Sequence, residues 1–228
     1  PMLYFYFPLP ALAVVVLDLL LPYGVAVKLV TVAGLVALPG ASYDFARQMG
    51  FARPVALVGG IAGSTFMFME TYSIYGGNTL STLAGEFSFS WSFALCLVYL
   101  GMLMRNTREG RGFTVGPAAI LALAALSHVI TTAVAVVASL PLLLRRKGPR
   151  TVAGSWALGF AIAAFWAVPF LVRALFPNLM TDMGWAARED WADIFPRDMW
   201  PMLVLAEFKP WLLLGPFYTK SGGRKMVS

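Results

Sequence analysis

TVGPAAILALAALSHVITTAVAVVASLPLLL, running from Thr114 to Leu144, is apolar for 31 residues and bounded by cations on both sides. Arg105, Arg108 and Arg111 precede it, and Arg145, Arg146, Lys147 and Arg150 follow it. Basic residues that flank membrane crossings stay on the cytoplasmic side. A single crossing would therefore strand one cluster on the wrong face. A straight helix of this length would also run about 46 Å, against a hydrocarbon core of about 30 Å. Two half-helices meeting near Ser127 and His128 remove both conflicts, because the chain then enters and leaves by one face. Ser127, His128, Thr131 and Thr132 sit at the middle of the stretch. They can satisfy the backbone groups that a break sets free. The alternative is one long, tilted helix.

The same alternation of apolar runs and basic clusters orders the rest of the chain. Val25 to Tyr43 is expected to span, ending at the Arg47/Arg53 cluster. Pro54 opens a return helix to about Met69, in which Gly59, Gly60 and Gly63 admit close approach of a neighbour. Glu70 to Glu86 is polar and lacks any cation, so it belongs outside. Ser88 to Met104 returns to the Arg105–Arg111 cluster, and Val152 to Val172 goes out again. Arg173 to Trp200 is external and dense in charge and tryptophan, as at lipid headgroups. Pro201 to Phe217 carries Glu207 and Lys209 and is a poor span; parity still favours its return to Lys220, Arg224 and Lys225.

Pro8 to Leu21 is too short to cross and reads as an interfacial or re-entrant helix, with Tyr4 to Phe7 in the aromatic belt. Of the 17 Lys and Arg, 12 fall in the four inner loops; of the 11 acids, only Asp44 and Glu109 do. That asymmetry sets the orientation. The expected fold is an all-α, polytopic transmembrane bundle. It forms a single domain over 1–218, with a polar tail at 219–228. The chain begins at Pro1, inside an aromatic run, and reads as a piece of a longer protein.

Composition excludes several classes. Hydrophobic residues make up 59% of the 228 and charged residues 12%, with a mean hydropathy of +0.75. A soluble domain carries about a quarter charged residues, so lipid must be the main solvent here. The net charge of +6 lies in loops beside apolar runs. It therefore points to anionic lipid and topology rather than to nucleic acid. One cysteine (Cys96) and one histidine (His128) allow no disulfide framework and no zinc site of the usual nitrogen and sulfur ligands. They also leave no serine–histidine–aspartate or cysteine–histidine arrangement to propose. No Gly-rich phosphate loop of Walker or Rossmann spacing occurs.

The polar residues at the outer side carry whatever chemistry there is, because acids at membrane depth are costly. Glu86, where the outer loop enters a helix, is either a carboxylate stabilised by the helix dipole or a substrate- or metal-binding acid. Asn78 lies in the same outer loop. His128 is either a hydrogen-bonded helix-break residue or a catalytic one. Arg173 either grips a lipid phosphate or snorkels to headgroups. Glu70 and Asp18 read as interfacial residues.

Two stretches carry a resemblance. Pro1-Met2-Leu3-Tyr4-Phe5-Tyr6-Phe7-Pro8-Leu9-Pro10 and Asn78-Thr79-Leu80-Ser81-Thr82-Leu83-Ala84-Gly85-Glu86-Phe87-Ser88 resemble a family of large bacterial polytopic proteins. These are labelled 6-pyruvoyl-tetrahydropterin-synthase-related membrane proteins, a label that carries no pterin chemistry. That family is similar in turn to the GT-C glycosyltransferases of the YfhO and dolichyl-phosphate-mannose mannosyltransferase types. The resemblance extends to about Trp185. It implies a protein of the bacterial cytoplasmic membrane that moves a sugar from a polyprenyl-phosphate donor to a cell-envelope acceptor. Glu86 would be the second acid of the site, and Ser127 and His128 would line its floor. The usual catalytic aspartate of that class would precede Pro1. The reading leaves room for a divalent ion bridging Glu86 and the donor phosphate, and it implies membrane lipids and the lipid-linked sugar as partners. Two rivals stand beside it: a transporter or flippase, and a non-catalytic membrane scaffold.

Overall fold

The computed structural model describes residues 7–69 and 76–174, without the side chains of 173 and 174. The chain divides into two units, Pro1–Leu171 and Val172–Ser228. All the packing below lies within the first, and the external tryptophan-rich segment and the tail lie outside the described residues. The elements are α1 (Pro8–Asp18), α2 (Tyr23–Met49), α3 (Arg53–Met67), α4 (Thr79–Leu83), α5 (Phe87–Arg108), α6 (Val115–Ser127), α7 (Val129–Ser139), a 3-10 turn (Leu140–Leu144) and α8 (Gly148–Ala174). The fold is all-α, with no strand among the described residues.

The break expected in the long apolar stretch is present. α6 stops at Ser127 and α7 starts at Val129; His128 between them is extended, at φ −164° and ψ 123°. The partners of α5 show that the two halves form a hairpin. Asn106, near the end of α5, donates to the Thr114 hydroxyl at the start of α6, at 2.7 Å. Ser92, near the beginning of α5, reaches the carbonyls of Ala124 and His128 at 3.0 and 3.2 Å. α7 then runs back: Cys96 Sγ meets the Thr131 carbonyl at 3.5 Å. Farther along, Trp156 Nε1 of α8 donates to both Tyr99 of α5 and Ser139 of α7, at 3.0 and 3.2 Å. The long tilted helix is thereby excluded.

The basic loops consequently meet. Thr151, at the start of α8, donates to the Arg111 carbonyl at 3.3 Å, joining the loops on either side of the hairpin. Gly50 ends α2 in the left-handed region at φ 99°, and the Arg108 guanidinium lies directly against it. Such a cap is available almost only to glycine. Three cation clusters, around Arg47/Arg53, Arg105–Arg111 and Arg145–Arg150, therefore occupy one end of the bundle. Glu109 is the acid paired there, with Arg111 at 2.6 Å and Arg105 at 3.6 Å. Glu86 stands at the other end of α5, about 33 Å away by helix rise.

α2 and α5 run parallel in close contact. Trp91 Nε1 donates to the Val30 carbonyl at 2.7 Å, and the backbone of Ser90 and Trp91 presses on Gly34. A Cβ at Gly34 would fall 2.7 Å from Ser90 C, so only glycine permits this approach. α3 turns back along α2, and its Gly60 and Gly63 face Pro39, Ser42 and Tyr43. At 15 residues α3 is about 22 Å long, shorter than the crossing expected from sequence. α2, α5 and α8 instead outrun their expected bounds, because the apolar helix continues into the basic clusters.

The interior is built from small and polar residues, including Ala26, Ala118, Ala124, Ser90, Ser92, Thr132 and Ser155. Val36, Ile61, Phe165 and Leu171 are turned outward, each more than half exposed. Water drives the reverse arrangement, whereas lipid permits this one and close helix packing rewards it.

Candidate functional site at the hairpin tip

α5 carries a buried stripe, Ser92, Cys96, Tyr99, Leu103 and Asn106, at alternating steps of four and three residues. That spacing keeps one face of a helix on one neighbour. Its first member holds the break. The His128 carbonyl opens α7 and keeps its helical partner, the Thr132 amide. It receives the Thr132 hydroxyl at 2.8 Å, the Thr131 hydroxyl at 3.1 Å and the Thr132 amide at 3.3 Å, besides Ser92. Thr131 also lies 2.5 Å from Ser92 Oγ, so these hydroxyl protons are shared around a closed ring of acceptors. Each backbone group left unpaired in lipid would cost several kcal/mol. The three hydroxyls tie the carbonyls on either side of the break, Ala124 and His128, to α5 and to one another. Ser127, the other tip residue, turns back onto the Leu123 carbonyl at 2.9 Å.

The imidazole of His128 faces an aromatic cluster. Phe7 lies 4.9 Å from it between ring centroids, and Phe89 lies 5.2 Å away in an edge-to-face arrangement. Phe7 also contacts Trp166 at 5.4 Å, and Trp166 stacks on Phe170 at 5.0 Å. Phe89 continues through Phe93 to Phe66.

The other sequence-predicted residues are placed as follows. Glu86 takes the N-cap position of α5, but its side chain makes no cap hydrogen bond. The carboxylate is exposed and has no ion-pair partner among the described residues. Glu86 precedes Phe89, whose ring touches His128, by three residues. Asn78 is 3% exposed, and its side-chain oxygen accepts the Ser81 amide at 2.8 Å, capping α4. That oxygen serves the fold rather than pointing into open space. Arg173 is in the last turn of α8, and its side chain lies outside the described residues, as does Glu70. Asp18 is exposed at the end of α1. Glu86 and His128 lie towards the same end of the bundle, the one opposite the cation clusters. Asn78 belongs to the loop that leads to Glu86.

Ser92 and Trp166 were not singled out from the sequence, and Phe7, expected only as an aromatic-belt residue, also packs on His128 and Trp166. The serine had a signal: at 3.6 residues per turn it shares a face with Cys96 and Tyr99, the polar side of an otherwise apolar helix. Among the described residues, no three of His, Cys, Asp and Glu lie close enough together to hold a metal ion. Glu86 alone does not make a metal site.

Three helices, α2, α5 and the Gly148–Val172 part of α8, are long and apolar enough to cross a membrane, judged by length and composition. With an interior of small residues and an apolar exterior, this is an all-α membrane protein. No protein-family model, curated protein or solved structure matches the chain.

Proposed function

We propose that this chain is the membrane-embedded part of a glycosyltransferase. It would act on a sugar carried by a polyprenyl phosphate and deliver it to a cell-envelope acceptor, with the basic end in the cytoplasm. One observation supports the reading above the rest. Glu86, a carboxylate with no ion-pair partner among the described residues, and a polar break in the hairpin share the end of the bundle opposite the cations. A lipid-linked substrate reaches such a place laterally, with its tail in the bilayer and its head at the interface. In the transfer step an acceptor hydroxyl loses its proton to a base and attacks the anomeric carbon. The carbon–oxygen bond to phosphate breaks, and polyprenyl phosphate leaves. Glu86 would accept a hydrogen bond from a sugar or acceptor hydroxyl and hold it for attack. The class that the sequence resembles carries its base on an earlier external loop.

The test is Glu86→Gln in the intact protein, which preserves shape and removes the charge. Sugar transfer from a polyprenyl-phosphate donor should be lost while expression and thermal stability hold. Retained transfer would take Glu86 out of the site.

The broken helix also favours a second reading, a transporter, since discontinuous helices line many substrate paths. That reading predicts movement of a lipid-linked sugar between leaflets of a vesicle without any change in its glycosidic bond.

A further inference from the structure

Two nitrogen atoms near the hairpin tip have less than 1 Å² of surface and no hydrogen-bond partner among the described residues: His128 Nδ1 and Trp166 Nε1. They come from different elements, the α6–α7 break and α8. With so little surface, no solvent-sized gap touches either atom. Only the movement of a covering side chain can give them partners. Leaving both unpaired sets a desolvation cost against the packed state with no hydrogen bond to offset it.

One group covers both rings. Phe7 packs on His128 at 4.9 Å and on Trp166 at 5.4 Å. It precedes α1, whose N-cap has no side-chain hydrogen bond and whose only buried residue is Pro10. The outward face of α1, with Leu12 at 50% and Val15 and Val16 at 61% exposure, is apolar. This short helix is thus attached to the bundle through few interior residues, and the ring that precedes it touches both of the rings that carry the unpaired nitrogens.

We propose that Phe7 is a displaceable cover over a subsite for a pyranose ring carried on an apolar tail. This deepens the glycosyltransferase reading and rests on it for the choice of ligand. When the phenyl ring withdraws, Trp166 Nε1 donates to one sugar hydroxyl. His128 Nδ1 pairs with another, as donor or acceptor according to its tautomer. The faces of Phe89 and Trp166 receive the carbon-bound hydrogens of the sugar ring. Among the described residues, the rings packed on His128 and Trp166 are Phe7, Phe89 and Phe170, uncharged faces that suit a neutral sugar ring. The apolar exterior of α1 and α8 lets the tail remain in lipid.

His128 is the chain's one histidine, so ring-¹⁵N-labelled histidine reports on this site alone. The full chain in phosphatidylethanolamine–phosphatidylglycerol vesicles is titrated with three lipids. These are polyprenyl-phosphate-glucose, monoglucosyl diacylglycerol and polyprenyl phosphate without sugar. A saturable change at Nδ1 is expected with a glucosyl lipid, and the two glucosyl arms tell a donor from an acceptor. Phe7→Ala should tighten binding, and Trp166→Phe should weaken it about tenfold, the equivalent of one buried hydrogen bond. Thermal stability of Trp166→Phe should be unchanged or higher, because a buried donor without a partner has been removed. The proposal is overturned if neither glucosyl lipid moves the resonance, if polyprenyl phosphate alone moves it as far, or if Trp166→Phe binds as the parent does. Binding without sugar transfer would leave the subsite standing and defeat the enzyme; transfer with a silent Nδ1 would do the reverse.

Discussion

The hydroxyl of Ser92 lies 3.2 Å from the carbonyl oxygen of His128, and through this contact α5 holds the tip of a hairpin that begins and ends a helix-length away. Sequence separation conceals the pair, and the polarity of both partners at membrane depth explains it. A break in a helix is tolerated there only where protein groups satisfy the freed backbone.

Ser92→Ala alone should cost little through this carbonyl, which keeps the Thr131 and Thr132 hydroxyls and the Thr132 amide. Thr132→Val removes a second donor to the same carbonyl. The double variant should lose more than the sum of the singles, because each hydroxyl covers for the other. Thermal unfolding of the four proteins in one detergent measures the cycle.

The hairpin also fixes sidedness. Cysteines placed singly at Glu109 and Arg146, with native Cys96 buried, should react with an impermeant thiol reagent from the same face of the membrane. Glu86→Cys should react from the opposite face. Labelling of positions 109 and 146 from different faces would show one crossing where the structure has two half-helices.

Gly34→Ala should cost about 1–3 kcal/mol by overpacking, since the new methyl group meets the backbone of Ser90 and Trp91, which cannot rotate aside. Gly24→Ala is the control, because nothing lies within 4 Å of a Cβ there. Equal unfolding temperatures for the two variants would contradict the α2–α5 approach.

Trp156 has two acceptors, Tyr99 and Ser139. Tyr99→Phe or Ser139→Ala alone leaves its N–H one partner, so each should cost little through that bond. The pair together strands the donor and should add about 1–3 kcal/mol. A double-mutant cycle by thermal unfolding reads the coupling.

Much of this arrangement was legible in the chain. The cations around Thr114–Leu144 and the polar cluster at its centre sufficed to place the break at His128, because charge sidedness and bilayer thickness are constraints that local sequence must obey. The close helix approach through Gly60 and Gly63 was legible for a similar reason: a missing side chain has few other uses in a span. Asn78 was less transparent. Its residue type suits a ligand group and a helix cap equally, and only the Ser81 amide 2.8 Å away decides between them. Ser92 escaped notice, and Phe7 was read only as a belt aromatic, because their partners are distant along the chain, one 36 residues on and the other 121 and 159 residues on. Helix bounds moved for a simpler reason: arginine is a good helix former, so a charge cluster ends a membrane span without ending the helix.

The dependence of the hairpin on Ser92 imposes an order on biogenesis. A half-helix pair delivered alone into the bilayer would keep its own Thr131 and Thr132 donors but have no neighbour's hydroxyl to anchor the tip, and would tend to slip through or back out. α5 emerges from the ribosome first, already carrying the hydroxyl that the tip requires. The nascent loop therefore meets a prepared docking face as it enters, and the chain's linear order is also its order of insertion.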